Sequence, residues 1–201
     1  DGLKDPYLYQ LKAVLIKDGK VVDEIGCNCG VREFKFSPKD GFHLNGRPYP
    51  LHGVSRHQDY RDLGNAISKE EHDRDMELIK EVGANTIRLA HYQHDQYFYD
   101  LCDKEGMVVW AEIPYISEHM PNGRENTISQ MKELIIQNYH HASIVTWGVS
   151  NEITIVDKNR KDMMDNHRVL NDLCHELDST RLTTLACYAM CMPWDEVGKV
   201  T

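Results

Sequence analysis

Apolar and polar positions alternate along the first stretch of the chain, where Tyr7, Tyr9, Leu11, Ala13 and Leu15 are separated by mostly polar neighbours. Strand side chains point alternately to opposite faces, so this pattern predicts a β-strand with one apolar face. Asp18-Gly19 supplies a two-residue hairpin turn, Val21 to Cys29 returns as a second strand, and Val31 to Phe36 is a candidate third. Three strands without a partner sheet cannot close a sandwich, so residues 1–38 are expected to end a β-sandwich that begins upstream. A further short hairpin is predicted from 42–44 and 49–51, turning at Asn45-Gly46.

Beyond it the period switches to strand, helix, strand, helix. Leu51 to Val54 is the first predicted strand of this region. Ser68 with Glu71 three residues on forms a capping box, Met76, Ile79 and Val82 mark one helical face, and Gly83 closes the helix. Predicted strands follow at 85–90, 107–113, 144–149 and 182–186, with helices between them. Repeated β and α units imply a parallel sheet, either an open doubly wound sheet or a closed barrel. No glycine-rich phosphate loop follows a strand, and several strands end in chemically capable residues, which favours the barrel. A complete (β/α)8 barrel takes ~250 residues. Residues 39–201 are therefore expected to be the N-terminal part of a TIM barrel, and the chain to be a piece of a larger protein.

Composition narrows the function. A net charge of −9 disfavours nucleic acid, whose phosphates demand basic neutralisation. No apolar run approaches the ~20 residues that span a bilayer. The cysteines (Cys27, Cys29, Cys102, Cys174, Cys187 and Cys191) show no C-x-x-C spacing. Scattered thiols fit a reducing, cytoplasmic compartment.

The chemistry converges on predicted strand ends. The run Ser143 to Val149 is followed by Ser150-Asn151-Glu152, an amide and a carboxylate delivered to a barrel mouth. Such a pair suits glycosidic cleavage, with the acid protonating the leaving oxygen and the amide holding a hydroxyl. The competing interpretation is a helix N-terminus capped by Asn151, with Glu152 in its first turn. Ser55-Arg56-His57, His91 and Glu112 end the other strands, Glu112 as a candidate hydrogen-bond partner within the mouth. His91 and His94 form H-x-x-H without the metalloprotease glutamate, so His94 is assigned to a loop. Trp110 and Trp147 are expected to fill the layer between strands and helices, and the run Lys69 to Asp75 to be a solvated helix face. His140-His141 precedes a strand at the end away from the mouth and is assigned a structural role.

Four blocks carry a resemblance: Phe42 to Pro48 with Leu51 to His57, Asn85 to Tyr92, Tyr99 to Gly106, and His141 to Glu152. Together they resemble the start of the catalytic barrel of family 2 glycoside hydrolases, most closely the bacterial β-galactosidases. The stretch Asp5 to Tyr9 is similar to the end of that family's immunoglobulin-like domain. The resemblance implies hydrolysis of a terminal β-galactoside by retaining double displacement. It makes Glu152 the acid/base, Asn151 the amide on the sugar 2-hydroxyl, and His57 and His91 sugar-binding residues. The nucleophilic carboxylate would come from a later strand, so this chain alone is expected to be inactive. β-Glucuronidases and β-mannosidases share the scaffold, and a non-catalytic carbohydrate-binding role for the chain itself stays open, as does homo-oligomerisation. Magnesium-dependent relatives carry a carboxylate and a histidine two residues apart after strand three. Ile116 and Glu118 hold those positions here, with His119 out of register, so no metal or cofactor is assigned. A metal-dependent barrel hydrolase would want H-x-H after strand one, where the chain has His57-Gln58-Asp59.

Overall fold

The switch of period near residue 50 separates antiparallel from parallel structure in the computed structural model, which describes residues 2–156, 158–188, 190 and 199. Cys191 lies outside the described residues. Strands β1 (Tyr9–Lys17) and β2 (Lys20–Cys29) form a hairpin through Asp18 and Gly19, whose φ angles of 51° and 72° suit the turn such hairpins need. Leu11, Leu15, Val21 and Ile25 of this hairpin are exposed.

The third predicted strand is displaced. It forms as β3 (Phe34–Ser37) and pairs with β4 (Gly41–Leu44), which in turn pairs with β5 (Arg47–Pro48) across Asn45-Gly46. The reason is side-chain burial: Phe34, Phe42, Leu44 and Tyr49 pack on Val108 and Val145. Those valines lie near the N-terminal ends of two central strands, so the small sheet covers that end of the parallel sheet.

The repeating part runs β6 (Gly53–Arg56), α1 (Lys69–Glu81), β7 (Thr86–Leu89), α2 (Gln96–Glu105), β8 (Val108–Glu112), β9 (Ile116–Glu118), α3 (Arg124–Asn138), β10 (Ile144–Val156), α4 (Arg160–Leu177) and β11 (Leu182–Ala186). The first strand begins two residues later than predicted, and β10 runs on to Val156. That extension rules out a helix capped by Asn151, since α4 begins at Arg160. The Ser68–Glu71 capping box forms, and Gly106 closes α2 in the left-handed region with φ 73°.

Spatial order follows chain order, β6-β7-β8-β10-β11, with every neighbouring pair parallel. A doubly wound sheet reverses at a switch point, and this one does not. Successive helices are also neighbours: Tyr97 of α2 donates to Asp73 of α1, Gln96 of α2 to Asn138 of α3, and Arg124 of α3 to Asp165 of α4. The arrangement is a partial α/β barrel.

Its core lies between strands and helices. Ile87, Leu89, Val109, Ala111, Trp147 and Val149 from the strands meet Phe98, Tyr99, Met131, Leu134, Met163 and Leu170 from the helices, all fully buried. Each of the large side chains contributes about 1.5–3 kcal/mol by leaving water. Trp147 fills the layer as expected and donates its indole N–H to Asp178 at 2.9 Å. Asp178 also accepts from buried Arg181, whose other nitrogens donate to the carbonyls of Ile144, Tyr139 and His141 at 2.9 Å. This guanidinium fastens the start of β10.

Arg181→Met should therefore lower barrel stability by about 3–5 kcal/mol, because it strands a buried carboxylate and several carbonyls. Denaturant unfolding checks this; an unchanged midpoint would show that the fastening bears no weight.

Candidate active site

One register row crosses the whole parallel sheet: Arg56, Leu89, Ala111, Trp147 and Thr183. His57, His91, Glu112, Asn151 and Glu152 all lie just beyond it on the C-terminal side. The residues singled out in the sequence thus share one end of the strands, the end where barrel enzymes hold substrate.

Arg88 organises that end. It sits mid-strand in β7, whose apolar residues Ile87 and Leu89 face the helices, so alternation sends Arg88 to the other face beside Trp110 and Glu112 of β8. Its guanidinium lies 4.6 Å from the Trp110 ring. Arg88 Nε donates to Glu112 Oε2 at 3.0 Å, and its NH2 nitrogen donates to Glu112 Oε1 at 2.8 Å and to Asn151 Oδ1 at 2.6 Å.

These bonds fix two further side chains. An arginine can only donate, so Oδ1 of Asn151 is identified as the accepting atom and its NH2 group as the donating end. His91 Nδ1 lies 2.8 Å from Glu112 Oε1 and 3.0 Å from that same Arg88 NH2 nitrogen, whose two N–H groups go to Glu112 and Asn151; a carboxylate only accepts, so Nδ1 donates to Glu112. That leaves His91 Nε2 unengaged by this network. Asn151 and Glu112 are buried, and His91 is one-quarter exposed. The exposed His57 ring meets His91 edge-on at 4.9 Å.

Gly148 makes room for this arrangement. A Cβ there would fall 2.5 Å from Glu112 Cβ and clash with Trp110 Nε1. Past Gly148 the register shifts before Asn151, and half-buried Glu152 has a left-handed φ of 48°. Neighbours on a regular strand point to opposite faces, and this irregularity interrupts that rule where the amide and the carboxylate follow one another.

Surrounding contacts hold the rim. Asn151 N–H donates to the Tyr115 carbonyl at 2.9 Å, and Ser150 Oγ meets His167 Nε2 at 2.8 Å. His119 is buried between the Tyr115 hydroxyl at 2.5 Å and Asp162 at 2.7 Å, while Glu118 is exposed with Lys158 at 3.8 Å. Ile116 is a β9 strand residue paired with Asn151.

One sequence assignment holds and another needs correction. His94 does lie between β7 and α2, but it is buried: Nδ1 accepts from Arg56 at 3.0 Å and Nε2 donates to the Ala90 carbonyl at 3.0 Å. Both nitrogens are used, so H-x-x-H is not a metal pair. The run Lys69 to Asp75 is not all solvated. His72 is buried, and Arg56, the residue before His57, binds both His72 Nδ1 and Asp75. Burial pushes the His94 pKa down to about 3 and lowers that of His72, with Arg56 adding to both effects.

The Glycosyl hydrolases family 2, TIM barrel domain model matches residues 38–196. A β-glucuronidase of Bacteroides fragilis is 43% identical over 198 residues, covering 92% of this chain and 28% of that protein. A β-galactosidase of Thermoanaerobacterium thermosulfurigenes is 36% identical over 183 residues, covering 89% of this chain and 24% of that protein. The crystal structure of an FMN-binding β-glucuronidase from Facaelibacterium prausnitzii L2-6 superposes with a TM-score of 0.95 at 48% identity, covering 100% of this chain and 31% of that one. The chain thus spans less than a third of each of these relatives.

Arg88→Met should cost about 3–5 kcal/mol of stability, because it leaves the Glu112 carboxylate buried without its cation. An unfolding midpoint within error of the parent's would mean that Glu112 finds another partner. A second expectation follows from His94, which binds a proton more readily unfolded, near pH 6.5, than folded, near 3. Its contribution is complete above about pH 6.5 and is lost as pH falls toward 3. His94→Gln should flatten the decline of stability over that window; an unchanged slope would assign the acid sensitivity elsewhere.

Proposed function

The chain belongs to glycosyl hydrolase family 2, and on that premise we propose that the full-length protein is a retaining β-glycosidase with Glu152 as its acid/base. The observation that carries this reading is the Arg88–Glu112–Asn151–His91 network at the C-terminal strand ends, one residue from Glu152. Asn151, held by its oxygen, presents an amide donor suited to a sugar 2-hydroxyl. His91, held through Nδ1, has Nε2 left for a second hydroxyl, and His57 stands against its ring. Glu152 protonates the departing glycosidic oxygen and later takes a proton from water. The nucleophilic carboxylate comes from a part of the full-length protein outside this chain, ~5–5.5 Å from Glu152, as retention requires. Within residues 1–38 the exposed apolar hairpin β1–β2 is the end of an immunoglobulin-like sandwich, while β3 pairs onward with β4 at the start of the barrel part, 39–201.

The glycone we infer is glucuronic acid. The β-galactosidase expectation from sequence is not favoured over it, since the relatives above named β-glucuronidase are 43% and 48% identical and the one named β-galactosidase is 36% identical. Galactose is the second reading, supported by that last relative. Matched aryl β-glucuronide and β-galactoside substrates separate the two by kcat/KM.

General acid catalysis matters most for a poor leaving group, because a good one departs without a proton. In the full-length protein, Glu152→Gln should slow cleavage of alkyl or sugar aglycones about 10²–10⁴-fold. Glycosyl-enzyme formation from strongly acidic phenol glycosides should slow far less, and azide should speed breakdown of that intermediate. Equal single-turnover losses on both substrates, with no azide rescue, would reduce Glu152 to a positioning residue.

A further inference from the structure

The opposite end of the barrel holds a second group of ligating side chains that the glycosidase reading leaves unused. Asp100 lies in α2, and His140 and His141 lie in the turn between α3 and β10. One ligand atom from each comes within 4.8 Å of the other two. We propose that Asp100, His140 and His141 bind one divalent transition-metal ion, zinc by ligand chemistry, at this end of the barrel.

His141 carries the argument. It is 1% exposed, and its Nδ1 lies 2.7 Å from Oδ2 of buried Asp103. Asp103 is itself fixed by the Ser143 N–H, donated to its other oxygen at 2.7 Å. A carboxylate only accepts, so Nδ1 carries a proton, and in the neutral imidazole the lone pair is then on Nε2. That Nε2 is buried and has no hydrogen-bond partner among the described residues. A structural role for His141 explains its bond to Asp103 and leaves the buried Nε2 without a purpose. A histidine whose far nitrogen donates to a carboxylate while the near one stays free is the arrangement that orients metal ligands.

The neighbours complete the set. The His140 ring lies 4.1 Å from the His141 ring, centroid to centroid. Asp100 and His140 line a cavity of about 530 Å³ that also reaches Cys27 and Glu24 of the hairpin. That opening supplies an entry path and room for a fourth ligand. Zinc with two imidazoles and a carboxylate is an ordinary donor set. Donors ~2 Å from a tetrahedral ion stand roughly 3.3 Å apart, so exposed Asp100 and half-buried His140 must swing inward to close the site. The ion would tie α2 to the base of β10, far from Glu152, and so act on stability rather than on the chemical step.

The test uses chelator-stripped full-length protein and cobalt as a visible reporter for the zinc site, with zinc as competitor. The parent should bind one more Co²⁺ per chain than His140→Ala, and Asp100→Asn should weaken that step at least tenfold. Added zinc should raise the parent's melting temperature and leave that of His140→Ala unmoved. Asp100 is exposed and His140 half-buried, and circular dichroism is to show each variant folded before its metal binding is compared. Equal cobalt stoichiometry and affinity in the parent and His140→Ala, or no saturable binding below millimolar metal, would overturn the proposal.

Discussion

The candidate site depends on one ion pair, Arg88 with Glu112. Both charges sit on the inner face of a parallel sheet, and Glu112 is fully buried. Two charges withdrawn from water gain little net stability from their attraction. What the pair provides is geometry. Three N–H groups of a planar guanidinium are committed in fixed directions, two to the carboxylate and one to Asn151. The carboxylate then receives His91. Strands β7, β8 and β10 are thereby joined through side chains as well as through their backbones, and the polar atoms left over belong to the residues assigned to the sugar. Gly148 is required for the same reason, because any side chain there would displace Glu112.

A second set of buried charges secures the other end of the strands. Arg181 with Asp178, and Asp103 with His141, satisfy the carbonyl and amide groups around the start of β10. Arg32 adds bonds to the Ala142 and Ile144 carbonyls at 2.9 and 3.0 Å, and its burial lowers its pKa to about 10. Strand β10 is thus anchored at its base and gripped at its mouth by Tyr115, His167 and Arg88. Asn151 and Glu152 are presented from a strand with little freedom to move.

Most of the fold was legible in the sequence because its signals are local. Period, caps and turns reveal themselves within a few residues, as at Ser68–Glu71 and Asp18-Gly19. What local signals could not supply was the partner of a strand. Residues 34–37 look like a third sandwich strand until Phe34 and Phe42 are seen to bury against Val108 and Val145. The strand-end residues were visible because polar groups abruptly follow β-branched runs. Arg88 was overlooked, although an arginine between Ile87 and Leu89 in a buried strand is itself a signal, since such a charge must be paired. His94, His119 and His167 gave no comparable sign, because their partners are brought in by the fold from other segments or from the turn before.

The central claim is that Asn151, His57 and His91 grip the sugar while Glu152 meets the glycosidic oxygen. A crystal structure of the full-length protein with an uncleaved thioglycoside tests this most directly. The account predicts the Asn151 amide and His91 Nε2 within hydrogen-bond distance of glycone hydroxyls, with a Glu152 oxygen about 3 Å from the bridging sulfur. A glycone seated away from these strand ends, or a Glu152 carboxyl out of reach of the bridging atom, would contradict it.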